Sequence, residues 1–164
     1  MSNYQLAEIN VALLKAPLDS PQLKDFVDNL DRINALAESS PGFVWRLKGD
    51  GNDATSLRPL GENVIVNMSV WSDVNSLRDY VYKTAHVEIL RRKREWFTRM
   101  ADAYMVLWWV PNGHEPTVAE AVARLTQLRE RGASPEAFTF GEAFAAPDAK
   151  VAGAPFSIKD GCPA

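Results

Sequence analysis

The stretch that most constrains this chain is ENVIVNMSVW, from Glu62 to Trp71. Val64, Val66, Met68 and Val70 alternate there with Ile65, Asn67, Ser69 and Trp71. A period of two belongs to a strand whose two faces meet different surroundings. One face is wholly aliphatic, while the other carries an amide, a hydroxyl and an indole. Polar groups in the middle of a sheet are costly unless paired, so they imply either a hydrogen-bonded network or a wet cavity.

Around this strand the other elements fall into order. Gln5 to Leu14 alternates loosely around Glu8 and Asn10 and predicts a first strand. Ser20-Pro21 reads as an N-cap and first helical position, and Phe26, Leu30, Ile33 and Ala37 follow at helical spacing until Pro41-Gly42 ends the run. Phe43 to Lys48 is a short strand, and Gly49 to Gly61 is a loop rich in Gly, Asn, Asp and Pro. After Trp71, Ser72 is the expected cap of a helical region carrying Val74, Leu77, Tyr80 and Val81. Past a break at Lys83-Thr84 it resumes with Val87, Leu90, Arg94 and Phe97. Ala103 to Val110 is a nearly continuous apolar strand that should be covered on both faces. Thr117 and Glu120 form a capping box for a last amphipathic helix ended by Gly132, and Phe138 to Phe144 is an expected short edge strand.

Strand, helix, strand, strand, helix, strand, then an extra helix is the order of an α+β fold. With right-handed crossovers it becomes a ferredoxin-like βαββαβ antiparallel sheet, with the main helices on one face and the first and third strands at the centre. The opposite face would then lie bare, and a second copy of the chain is the expected cover, making a homodimer. Residues 1–144 form one domain, and 145–164, rich in Ala, Pro, Gly and Lys, an extended or loosely ordered tail.

Charge and cysteine usage narrow the function. A net charge of -3 and a pI near 5.4 argue against nucleic acid or anionic membrane as partner. The one basic cluster, Arg91, Arg92, Lys93 and Arg94, has Glu88 and Glu95 beside it and reads as a solvated, partly ion-paired face. Cys162 is the single cysteine, so no disulfide framework or cysteine metal cluster can form within the chain. No signal-like start and no run of ~20 apolar residues is present, which predicts a cytoplasmic protein. There is no phosphate-binding glycine loop, GxSxG elbow or HExxH motif.

The candidate site residues come from the two central strands and their neighbours. Asn10 and Asn67 are central amides, with Glu8 and Ser69 two residues away on the same respective faces, and Trp71 continues the Asn67–Ser69 side. Trp45 and Arg46 are adjacent on the second strand and must point opposite ways, so one of them joins the pocket face. An arginine there can fork onto a carboxylate or enolate. His86 opens the second half of the broken helix, where an imidazole can transfer protons or meet a metal. Trp96, Phe97, Tyr104, Trp108 and Trp109 suit either an apolar pocket or a core. His114 is a turn residue.

From Tyr4 to Phe140 the stretches LAEINVALL, FVDNLDRINALAESSPGFVWRL, VNMSVW, HVEILRRKREWF and YMVLWWVPNGHEPTVAEAVARL resemble an uncharacterised bacterial family, domain of unknown function 3291. It looks like a branch of the dimeric α/β-barrel superfamily, which includes cofactor-free antibiotic-biosynthesis monooxygenases and haem-degrading monooxygenases. The resemblance implies a homodimer and a small-molecule pocket between sheet and helices. In that pocket Asn10 and Arg46 would polarise oxygen atoms and His86 would move a proton. Asn67, Ser69, Trp71, Trp45 and Trp96 would bind an aromatic or polyketide-like ligand. No cofactor is required by that reading. A non-catalytic ligand-binding or sensing homodimer and a haem-binding protein are the alternatives, and the resemblance gives the WWVPNGHEPT stretch no role.

Overall fold

The computed structural model describes residues 2–149. Strand β1 (Tyr4–Leu14) is followed by a 3-10 turn (Pro21–Leu23), helix α1 (Lys24–Ser39), β2 (Phe43–Arg46) and β3 (Val64–Trp71). Then come α2 (Val74–Lys83), α3 (His86–Trp96), a two-residue β4 (Phe97–Thr98), β5 (Met105–Pro111) and α4 (Val118–Arg131). The strands lie in the order β2-β3-β1-β5, every pair antiparallel, and β4 pairs with Leu13 and Leu14 at the far end of β1. This is the ferredoxin-like α+β arrangement, with β1 and β3 central as the element order predicts.

The pleat sorts the residues into two layers. Ala7, Ile9 and Val11 of β1 join Val66, Met68 and Val70 of β3 and Val106, Trp108 and Val110 of β5 in one aliphatic core. On the other face, Leu6, Trp71 and Leu107 pack with Ala37 of α1 and Leu77, Tyr80 and Val81 of α2. Helices α1, α2 and α3 therefore share the face that carries the polar groups. Strand β5 is buried on both faces, as its unbroken apolar run requires.

The aliphatic face is not bare. Ala121, Leu125 and Leu128 of α4 bury against it, with Leu57 and Leu60 of the 47–63 loop alongside. Val66, Met68, Val106 and Trp108 are consequently buried within a single chain, and the inference from an open face to a second copy loses its premise. Sequence order alone did not assign the last helix to a layer, because its apolar stripe fits any apolar partner.

Several boundaries differ from expectation. The second helix is capped by Asp73, whose carboxylate accepts from the Ser76 N–H at 2.7 Å, and not by Ser72. Ser20 Oγ bonds Pro17 O, so the chain makes a 3-10 turn there before α1 begins at Lys24. Phe97 leaves the helix to enter β4. Phe138 makes a single bridge to Leu107 (2.8 and 2.9 Å), and no edge strand follows, since a turn spans Thr139–Glu142. The capping box is half formed. Thr117 Oγ1 accepts from the Glu120 N–H, while the Glu120 carboxylate takes His114 Nε2 at 2.8 Å and Trp108 Nε1 at 3.3 Å. Of the expected tail, Asp148 is tied to Ser2 Oγ and Asn3 N, each at 2.7 Å. Residues 150–164, Cys162 among them, lie outside the described residues.

Candidate functional site

Strand register builds the site as three cross-strand rows. Leu6 faces Trp71, which faces Phe43; Glu8 faces Ser69, which faces Arg46; Asn10 faces Asn67. The helical layer stands off this face and leaves a cavity of about 740 Å³. The rows form its floor, α1 and α3 its walls, and Tyr80 and His86 one end.

Glu8 lies on the floor toward that end. Only 3% of it is exposed, and its carboxylate accepts from Ser69 Oγ at 2.8 Å and from Asn10 Nδ2 at 3.2 Å. Trp71 Nε1 in turn donates to Ser69 Oγ at 2.8 Å, which turns the hydroxyl proton toward Glu8. Burial raises the Glu8 carboxyl from 4.5 to about 7, and the two hydrogen bonds pull it back only in part. A carboxyl held there is half ionised near neutral pH, as a general base must be.

Two further titratable groups close that end. Tyr80 stacks on Trp71 with ring centroids 5.1 Å apart and donates its hydroxyl to Ile33 O at 3.3 Å. Burial pushes its phenol well above the ordinary value, with the nearby Glu8 charge adding to the rise, so it stays protonated. His86 leans on Tyr80 at 4.9 Å, and its Nδ1 lies 3.3 Å from Val81 O. A carbonyl only accepts, so Nδ1 carries the proton and Nε2 the lone pair. Burial lowers the imidazole's pKa, outweighing the Val81 contact, and favours its neutral form. The helix break places it there: Thr84 Oγ1 accepts from His86 N at 3.2 Å, so α3 starts at the ring.

The expected residues are redistributed. Asn10, Asn67, Ser69 and His86 come together on the cavity, and the exposed Asn67 side chain makes no hydrogen bond among the described residues. Trp71 also lines the cavity, buried between Tyr80 and Phe43, and its indole N–H orients Ser69. Arg46 borders the cavity, but its guanidinium bonds Glu38 Oε1 (2.7 Å), Asn52 Oδ1 (2.9 Å) and Asn52 O. It ties the long loop to α1, so the guanidinium expected to polarise an oxygen is engaged by partners within the chain. Trp45 turns to the aliphatic face, beside Val70 across a bulge. Trp96 is buried against Phe26 and under the Arg92 guanidinium (4.9 Å), away from the cavity wall. Periodicity marks Glu8 only as a neighbour of Asn10, and Tyr80 only as one of the helical positions with Val74, Leu77 and Val81. The available signal was a carboxylate at a core-facing position of a central strand.

Haem would find one histidine, His86, at the cavity, and among the described residues no three His, Cys, Asp or Glu side chains gather for a metal. No helix among them is long and apolar enough to cross a membrane.

Fold and site together define a ferredoxin-like α+β domain with a buried carboxyl in a small-molecule-sized cavity. The chain belongs to the family described as Domain of unknown function (DUF3291), whose model matches residues 5–154. No curated protein matches its sequence. Among solved structures it is similar to SnoaB, a cofactor-independent oxygenase from Streptomyces nogalater, at 16% identity and a TM-score of 0.45, covering 73% of this chain and 100% of that one. A protein of unknown function from Nitrosomonas europaea aligns at 12% identity and a TM-score of 0.44, over 70% of this chain and 95% of its own. PA3566 from Pseudomonas aeruginosa aligns at 15% identity and 0.45, over 70% and 98%.

Proposed function

We propose that this protein is a small-molecule enzyme of the cofactor-independent, monooxygenase-like kind, in which Glu8 takes a proton from the activated carbon of an aromatic or polyketide-like compound. The supporting observation is the Glu8 carboxyl itself, poised at about 7 by burial on the cavity floor and oriented by Ser69 and Asn10. Apolar walls suit a flat hydrocarbon body, and the Asn67 amide is positioned to donate to the oxygen of an enolate as charge develops there.

The oxygen step is what the resemblance to the dimeric α/β barrels adds. The carbanion left by proton loss adds to O2 and forms a C–O bond. The resulting peroxide takes the proton back from Glu8, and the hydroperoxide, losing water across its C–H and O–O bonds, leaves a ketone. One O2 is consumed and one water released, so no external reductant is needed.

Anthrone, with an acidic CH2 between two rings, is a suitable probe. Under argon in deuterated buffer the protein should accelerate exchange of that CH2, and Glu8→Gln should slow it by about 10²–10⁴-fold. In air the same turnover should yield the ketone with one O2 per molecule. Exchange without oxygen uptake would leave a proton-transfer isomerase or lyase, while no exchange at all would leave a binding module.

A second reading, haem held by His86, draws on the Nδ1–Val81 contact, which leaves Nε2 free to ligate. Haem titration should then give a Soret band that His86→Ala abolishes; the first reading expects none.

A further inference from the structure

The cavity is polarised along its length. At one end stand Glu8, Tyr80 and His86. At the other, the stripe of α3 that carries Val87 and Leu90 continues into Arg91 and Arg94, both exposed and both lining the cavity. Arg99, also exposed and lining, follows Thr98, which pairs with Leu13 at the end of β1. In a chain with 18 basic and 21 acidic residues, the lining holds one carboxyl, Glu8, against five arginine and lysine side chains. The local balance is thus opposite to that of the whole molecule. Among the described residues, Arg91 and Arg99 have neither an ion pair nor a side-chain hydrogen bond, whereas Arg92 on the far side of α3 is bound to Asp25 and Glu95.

We infer that the compound bound here carries a carboxylate at the end remote from its reacting carbon, and that Arg91 and Arg99 bind it. The inference rests on the reading of this cavity as the substrate site. Two rulers set the spacing. Glu8 to Leu13, whose partner Thr98 precedes Arg99, is five residues of strand, about 17 Å, and His86 to Arg91 is five residues of helix, about 8 Å. A planar body of about three fused rings falls within that range. A singly charged carboxylate fits better than a phosphate, because α3 presents its carbonyl end there and not its N–H end. Guanidinium groups match the planar oxygen pair.

Anthracene-2-carboxylate and anthracene-2-carboxamide, alike in shape and different in charge, test this by fluorescence titration. The carboxylate should bind the wild-type protein about tenfold tighter or more, with an affinity that falls as salt rises. In the double variant Arg91→Gln, Arg99→Gln that preference should disappear, with amide binding changed less than about twofold. Equal affinities for the two probes, survival of the preference in the double variant, or no binding of either at millimolar concentration overturns the proposal. Both arginines are exposed, so the variant should keep its fold, which circular dichroism checks. Binding is read without turnover. A charge preference with no Glu8-dependent exchange would therefore sink the catalytic reading alone, and exchange of anthrone without the preference would sink the carboxylate alone.

Discussion

At the scale of residues, Glu8 concentrates the chemistry and the cost. The unfolded chain ionises this carboxyl near its ordinary 4.5, and the folded chain holds the proton to about 7. Folding therefore takes up a proton between those values. Glu8 favours the folded state most below 4.5 and loses that contribution as pH rises through 7, in total about 3 kcal/mol. Glu8→Gln removes the titration, so wild-type stability should fall relative to the variant by about that amount between about pH 4.5 and 8. Urea denaturation across that range measures it, and parallel profiles for the two proteins would mean that Glu8 is not buried as described. The polar face itself was legible: Asn10, Asn67, Ser69 and His86 were singled out from alternation and from a helix break, and they meet. Trp45 and Trp96 were not resolvable. Adjacent residues must face opposite ways, but which one faces the helices depends on the bulge between Phe43 and Trp45.

Among the elements, the polar link between β2 and α1 is made by Arg46, beside the packing of Phe43 on the Ala37 core. Arg46 holds Glu38 of α1 and Asn52 of the loop, and Asn52 Nδ2 reaches Asp31 at 3.2 Å. Removing the guanidinium leaves a half-exposed Glu38 and an unanchored loop. Arg46→Ala should therefore destabilise the fold by about 1–3 kcal/mol, seen as a lower urea midpoint, and should speed proteolysis between residues 47 and 63. Unchanged stability together with lost substrate binding would restore to Arg46 the oxygen-contacting role its sequence suggested. The helix break was visible in Lys83-Thr84, yet the cap moved from Ser72 to Asp73, because both can accept a backbone N–H and only the backbone path chooses between them.

For the whole molecule, α4 decides how the second sheet face is buried. Leu125 sits in the centre of that contact, packed into the Ala7–Val66–Val106 core. Leu125→Ala should cost about 2–5 kcal/mol, measured by thermal or urea unfolding. A loss far below that range would mean that α4 does not close this face in solution. Helix length and amphipathicity were readable from Thr117 to Gly132, but the layer was not, since a 3.6-residue stripe specifies an apolar partner without saying which one.

What the sequence determined by itself was the set of local choices: alternation in the central strands, breaks at Pro41-Gly42 and Lys83-Thr84, and the antiparallel order these impose. Those follow from backbone geometry repeated every two or 3.6 residues. The tertiary structure alone decided that Glu8, and not one of its neighbours, became the buried acid, that α4 took the face expected for a partner, and that Arg91 and Arg99 came to line the same cavity as the acid. Burial, and the desolvation that moves a proton, depends on residues brought together from distant parts of the chain.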